Sequence, residues 1–425
     1  MTRGKLRGAA RRILRAGLAA VEPGGLVRAH LAANRQGIHV DGLTVKGPKR
    51  VFVVSVGKAA VAMARAAHRI LGARITSAIV IAPQAAPRMP RTVSLVCGHP
   101  IPDAAGIHAG KRVIQLLEKA ERDDLVLLLL SGGASALMPA PVDGVSLVDK
   151  QRVTRLLLRR GATITEINAV RKQLSRLKGG GFARMAAPAQ VITLALSDVS
   201  GDVIGAIGSG PTVADPRAGA LARRTVRTLL KNTEVPPGIR RALRRPGVKS
   251  AVTSRTRTLV IGSGRTFAVA AAGEAREIGF RVRLLPGALR GEARLCGPAL
   301  VGRFDKSRGR SPFCLIATGE TVVKVLGEGV GGRNQELALS AIPSLARLRH
   351  PAVLVAFATD GADGRSAASG GLVDDGTEYR AIARGVSVQT ALNRNDSTKA
   401  LRRLGSLIVT GPTGTNVADI ALILG

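Results

Sequence analysis

"LVLLLLSGGASALM", Leu125 to Met138, is apolar without interruption up to Leu130 and then breaks at Ser131, Gly132 and Gly133. A strand with one wet face alternates apolar and polar residues, whereas a strand covered on both faces does not. The run therefore reads as an inner strand of a parallel sheet, ended by a glycine turn. It falls short of the roughly 18 apolar residues that span a bilayer.

The same pattern recurs in "VFVVSVG" (51–57), "VITLALSD" (191–198), "TLVIGSG" (258–264), "CLIATGE" (314–320), "AVLVAFATDG" (352–361) and "SLIVTGP" (406–412). Helical patterns such as "AAVAMARAAHRIL" and "TFAVAAAGEAREIG" lie between them. Strands alternating with helices give an α/β fold. A chain of 425 residues exceeds one core, so two domains are expected. The Pro- and Gly-rich stretch "NTEVPPGIRRALRRPGVKSA" (232–251) marks the boundary. It gives an N-terminal domain over 1–240 and a C-terminal one over 241–425, each with a mainly parallel sheet flanked by helices. The charged loop "RFDKSRGRSP" (303–312) falls inside the second.

The net charge is +36, from 64 Lys and Arg against 28 Asp and Glu. Such a balance attracts polyanions. Aromatic residues are only 2% of the chain, too few for the stacking platforms of single-strand binders, and the basic residues are scattered. Nucleic acid is not expected as the main partner, and a membrane is not expected at all. Three distant cysteines, Cys97, Cys296 and Cys314, read as buried thiols of a reducing compartment, so a cytoplasmic location is expected. The Arg-rich start of the chain reads as an amphipathic helix with Leu14, Leu18 and Val21 on one face, rather than as a transit peptide.

In open parallel sheets ligands sit at the carboxyl ends of strands. The polar motifs cluster there. "SVGKAA" puts Lys58 at a strand-to-helix turn, where an ammonium group can meet phosphate. "SGGAS" offers Ser131, Gly132, Gly133 and Ser135, whose backbone N–H groups can converge on an anion. "NAVRKQLSRLKGGG" (168–181) brings Arg171 and Lys178; its plainer meaning is an exposed basic helix with a glycine cap. "LALSDVSGD" (194–202) ends a strand with Asp198 and Asp202. Two carboxylates there suit Mg²⁺, or one of them accepts a substrate proton. "GEGVGGRNQELAL" (327–339) sets four glycines before Arg333 and Asn334; close backbone approach and a guanidinium fork suggest an anion clamp. Asp360 lies in the loop "ATDGADG" (358–364). "GSGRTFAVAAA" (262–272) approaches a dinucleotide fingerprint, but Leu285 and Pro286 stand where the ribose-binding acid belongs. No Walker loop and no metal-type histidine spacing occur.

In order along the chain, "SVGKAA", "GHPIPD", "LLSGGASALM", "NAVRKQLSRLKGGG", "SDVSGD", "GSGPTVADP", "GGRNQELAL", "ATDGADG", "AASGG" and "TGPTGTNVADI" resemble the MOFRL-type, or class II, glycerate kinases. The resemblance runs from about residue 10 to the end. It implies two α/β domains with the active site in the cleft between them. It implies transfer of the ATP γ-phosphoryl group to D-glycerate, giving 2-phosphoglycerate, with Mg²⁺ or another divalent cation. It assigns Lys58 and Arg333 to catalysis or substrate binding, and the reading of "LALSDVSGD" adds Asp198 as a catalytic candidate. A homodimer is compatible with it. The chain departs from the family pattern at Ala134, where a third glycine is common, and in "GSGRT", where an Asn is common. The competing readings are an NAD(P)-dependent hydroxypyruvate reductase and a polyanion- or RNA-binding protein.

Overall fold

The computed structural model describes residues 1–230, 235–244, 255–309 and 312–425, apart from the side chain of Ser200. Parts of the stretches 232–251 and 303–312 lie outside the described residues. The chain divides into two compact units. The first holds Pro23–Ser197 and Asp202–Ile261; the second holds Met1–Glu22, Asp198–Gly201 and Gly262–Gly425.

The first unit opens with the helix Pro23–His30, followed by three short antiparallel strands, β1 (Leu31–Asn34), β2 (Gly37–Val40) and β3 (Leu43–Val45). Its main sheet contains β4 (Val51–Val56), β5 (Ile75–Ala82), β6 (Thr92–Val96), β7 (Leu125–Leu130), β8 (Gln190–Leu196) and β9 (Thr256–Gly262), in the order β6-β5-β4-β7-β8-β9. The pairings β5–β6, β4–β5, β4–β7 and β7–β8 are parallel. Every residue of β4 and β7 is buried, as their unbroken apolarity predicts. The chain runs outward one way through β4, β5 and β6 and the other way through β7, β8 and β9. Strand order therefore reverses between β4 and β7. A crevice opens at such a reversal, and ligands use it.

The second unit's sheet contains β10 (Arg281–Leu289), β11 (Phe313–Gly319), β12 (Val353–Ala358), β13 (Gly370–Asp374), β14 (Leu407–Ile408) and β15 (Asp419–Leu424), in the order β10-β11-β15-β12-β13-β14. Here the expectation of a mainly parallel sheet is corrected. Only β10–β11 is parallel; the other four pairings are antiparallel. The physical reason is β15, which inserts between β11 and β12 against both. This strand is not among the expected ones, and its residues after Asp419 are as unbroken in their apolarity as a parallel strand, so the pattern alone does not give its direction.

Two other placements differ from the sequence-based boundaries. "TLVIGSG" forms an edge strand of the first sheet, so the units divide at Ile261 and Gly262 rather than after residue 240. The helix Arg3–Ala20 belongs with the second unit. It buries Leu6, Ala10, Ile13, Leu14 and Gly17 at helical spacing. Gly17 lies so close to Phe267, on helix Gly264–Glu277, that a Cβ would come within 2.5 Å of the ring. Ion pairs Arg7–Asp374 and Arg12–Glu274 hold the polar flank, and Thr415 Oγ1 donates to the carbonyl of Val21 at 2.8 Å. All three cysteines are free and buried, as expected.

Candidate active site

The crevice of the first unit is built from the turns after β4 and β7. Gly57 has φ +129°, and a Cβ there would overlap the Ser131 hydroxyl. Ser131 Oγ accepts from the Ala59 amide at 3.1 Å, and the Gly132 carbonyl accepts from the Lys58 amide at 2.9 Å. The two turns are thus bonded to each other, and Lys58 is held at their junction. Ser131 is fully buried and its hydroxyl serves this junction, which corrects its expected place among ligand-facing groups. Gly133, at φ +88°, is flanked on both sides. A Cβ would lie 3.0 Å from His99 Cδ2 and 3.5 Å from Lys58 Cγ.

Beside this junction is a cavity of about 710 Å³, lined by Gly133, Ser135, Arg171, Lys178 and, from residues the sequence did not single out, His99 and Lys150. Lys178 is buried rather than exposed on a basic helix. Its ammonium donates to the carbonyl and hydroxyl oxygens of Ser135 at 2.7 and 2.5 Å. Ser135 Oγ in turn meets Ser209 Oγ at 3.1 Å, and Ser209 Oγ donates to Asn168 Oδ1 at 3.4 Å. The glycines after Lys178 continue the seam: the Gly179 and Gly180 amides donate to the Ser209 and Gly210 carbonyls at 3.1 and 2.8 Å. The motifs "KGGG" and "GSGP" are therefore two sides of one wall.

The electrostatics are one-sided. Among the described residues, no carboxylate pairs with Lys150, Arg171 or Lys178. Burial pushes Lys150 down to about 8, with Arg171 adding to the effect. Burial, then Lys150 and Arg171, holds Lys178 well below the usual lysine range. Burial also lowers Arg171. Crowded cations without counter-charges are costly in the empty protein and are relieved by an anion. The neighbouring Lys172 differs, because it pairs with Asp215 at 2.6 Å.

In the second unit Arg333 starts the helix Arg333–Ala346. Its guanidinium bonds Asp419 through Nε and through Nη2, the latter at 3.2 Å, and bonds Glu320 through Nη1. Asp419 begins β15 and is paired in register with Gly319 and Ala358, the last residues of β11 and β12. Burial pushes Asp419 up to about 7 despite Arg333, and the charges of Asp363 and Glu320 push the same way.

The glycines before Arg333 approach the protein's own chain. A Cβ at Gly327 would lie 2.6 Å from the Arg394 carbonyl, one at Gly329 2.5 Å from it, and one at Gly332 would overlap Asp363. Asn334 is buried as well. It donates from its amide and Nδ2 to Asp363 at 3.1 and 3.2 Å, while Gln335 donates from its amide and Nε2 at 2.8 and 3.1 Å. Asp363 thereby caps the helix from a distant loop. Glu336 accepts from Arg294 and Asn395 at 3.1 Å each. The expectation that these glycines and Asn334 face a ligand is corrected: "GGRNQE" is a packing element from which Arg333 projects. Asp360 accepts from the Ala362 amide at 3.1 Å, an Asx turn within its own loop.

A family model described as a domain of unknown function, DUF4147, matches residues 9–244, and the MOFRL family model matches residues 313–419. A D-glycerate 2-kinase of Thermotoga maritima is 39% identical over 88% of this chain and 90% of its own. The chain belongs to the MOFRL-type glycerate kinase family. A solved glycerate kinase structure from Thermotoga maritima superposes with a TM-score of 0.85 at 36% identity, covering 99% of each chain. A relative from Agrobacterium vitis, 37% identical over 88% of this chain and 99% of its own, bears a provisional hydroxypyruvate reductase name.

The resemblance implies a divalent cation. Among the described residues, no three His, Cys, Asp or Glu side chains gather as a metal-ligating group. A nucleotide-borne Mg²⁺ needs only one or two carboxylates besides phosphate and water. Asp202, half-buried, pairs with no basic side chain among the described residues, and Asp198 accepts from Asn416 Nδ2 at 3.3 Å. Both fit that donor chemistry.

His99, Lys150, Ser209, Glu320 and Asp419 escaped the sequence reading. Lys150 had one legible signal: Leu147, Lys150, Thr154 and Leu158 recur at helical spacing, and Lys150 borders the stripe of the buried Val153 and Leu157. Glu320 and Asp419 stand in the quoted "CLIATGE" and "TGPTGTNVADI", but only the sheet order brings them to Arg333.

Proposed function

We propose that the protein transfers the γ-phosphoryl group of ATP to D-glycerate and that the product is 2-phosphoglycerate. The observation that carries this is the carboxylate-free, cation-lined cavity at the strand-order reversal, beside Lys58. Phosphoryl transfer needs positioning and neutralisation of charge more than covalent chemistry. Gly133, Ser135, Arg171 and Lys178 supply backbone and side-chain donors for phosphate oxygens. Lys58 neutralises charge developing on the transferring group. Asp198 takes up the proton of the attacking hydroxyl or, with Asp202, holds the cation. Mg²⁺, when bound with ATP, screens the phosphate charge.

Arg333 receives the acceptor's carboxylate. A guanidinium has five N–H groups, and three bonds go to Asp419 and Glu320. Glu320 is half exposed, so it is the partner an incoming carboxylate displaces. Asp419 stays, fixing the fork. A reductase reading is not favoured, because Ser263 of "GSGRT" caps its helix within a fingerprint that lacks the ribose-binding acid.

The test is a pair of assays on the purified protein. ATP, Mg²⁺ and D-glycerate should give ADP and a phosphoglycerate that enolase consumes directly, without a mutase. NAD(P)H consumption with hydroxypyruvate, and no ADP release, would overturn the proposal. Product that enolase ignores until a mutase is added would overturn the 2-phosphoglycerate assignment alone.

A further inference from the structure

We infer that the cavity walled by His99, Lys150, Arg171 and Lys178 is the nucleotide's own site, with the phosphates on the cations and the base on the apolar wall of Ile101, Leu147 and Leu158. This rests on the kinase reading above and selects which of its two substrates the cavity takes.

Three observations favour the nucleotide over the acceptor. The first is size. At about 710 Å³ the cavity lies in the range of sites for drug-sized ligands. A three-carbon acid would leave most of it to water. The second is charge. Three cations without a carboxylate among the described residues suit a triphosphate with up to four negative charges. Glycerate, with one, would leave the cluster crowded. The third is the apolar wall. Ile101 and Leu158 are 69% and 59% exposed, yet both line this cavity. A sugar-acid acceptor offers nothing to cover them, whereas a purine does.

One element joins the two halves of the site. The helix Leu147–Arg159 brings both Lys150 and, two turns further along, Leu158 to the cavity wall, while the adjacent stripe of Val153 and Leu157 anchors it in the core. Lys150 Nζ also donates to the Leu174 carbonyl at 3.0 Å, which holds it against the chain leading to Lys178.

The test is calorimetric titration of the full-length protein with ADP, tripolyphosphate and adenosine, in the absence of glycerate. Lys150→Gln should weaken ADP and tripolyphosphate by roughly 10- to 100-fold, the scale of one charge-assisted hydrogen bond, and leave adenosine unchanged. Leu158→Ser should weaken ADP and adenosine several-fold and leave tripolyphosphate unchanged. In steady state both variants should raise KM for ATP and move KM for glycerate by less than about twofold. The inference is overturned if either variant raises KM for glycerate while ADP affinity stays intact, or if ADP binds all variants alike. If ADP binding depends on Lys150 but glycerate is not phosphorylated, the cavity assignment stands and the acceptor assignment fails.

Discussion

The two cationic centres differ in what answers them. Lys178 is buried and Lys150 and Arg171 half-buried, with no carboxylate beside them among the described residues, and desolvation lowers all three. Arg333 is bonded by two carboxylates, and its affinity for its proton is raised. Charge in the first unit is stored unpaid and awaits an anion. Charge in the second is satisfied, and it orders the segment that presents it. A buried cation is thus informative about ligands chiefly when its counter-charge is missing.

The largest effect expected is at the unpaired centre. Lys178→Met should lower kinase turnover by about 100-fold, as removal of one preorganised charge donor does. The same variant should melt no lower than the parent, because it removes a crowded buried cation. A large loss of stability would mean that Lys178 is structural and would break the contrast. At the paired centre the expected order is reversed. Asp419→Ala should cost stability, about 2 to 3 kcal/mol in denaturant unfolding. That is less than a fully buried pair would lose, because Arg333 is one-third exposed. An unchanged midpoint would show that Arg333 does not depend on Asp419.

The pH dependence sharpens the same comparison. Lys150 is held to about 8 against an ordinary 10.5, so the folded chain releases that proton before the unfolded chain does. Stability of the ligand-free protein should therefore rise between those two pH values. Anion binding favours the charged ammonium, so affinity for ADP should fall as pH rises through about 8, by at most about tenfold per pH unit. Lys150→Gln should flatten both profiles; profiles unaltered in that variant would assign the titration elsewhere. The smallest effect concerns the junction of the two turns. Ser131→Ala should cost about 1 kcal/mol, the scale of one buried hydrogen bond, with most activity retained. Abolished activity with normal stability would return Ser131 to the ligand site.

Much of the first unit was legible because its signals are local. Unbroken apolar runs marked the inner strands, and the glycine turns ending the runs of β4 and β7 each supplied a piece of the crevice. Ser135, Arg171 and Lys178 could be chosen because each stands in a glycine-bounded motif next to such a run. What joined them, Ser209 and Lys150, required the packing of distant segments. In the second unit the pattern misled for a definable reason. β15, which is not among the expected strands, is apolar after Asp419 and runs antiparallel to both neighbours. The glycines at 327–332 announced a close approach correctly, but the sequence does not name what is approached. Here it is Arg394 and Asp363.

The most direct test of the contrast between the two centres is ADP affinity, without acceptor, of the parent, Lys178→Met and Arg333→Gln, each checked for folding by circular dichroism. The account predicts that Lys178→Met loses ADP binding by roughly tenfold or more, while Arg333→Gln binds ADP like the parent. Loss of ADP binding in Arg333→Gln with retention in Lys178→Met would contradict it.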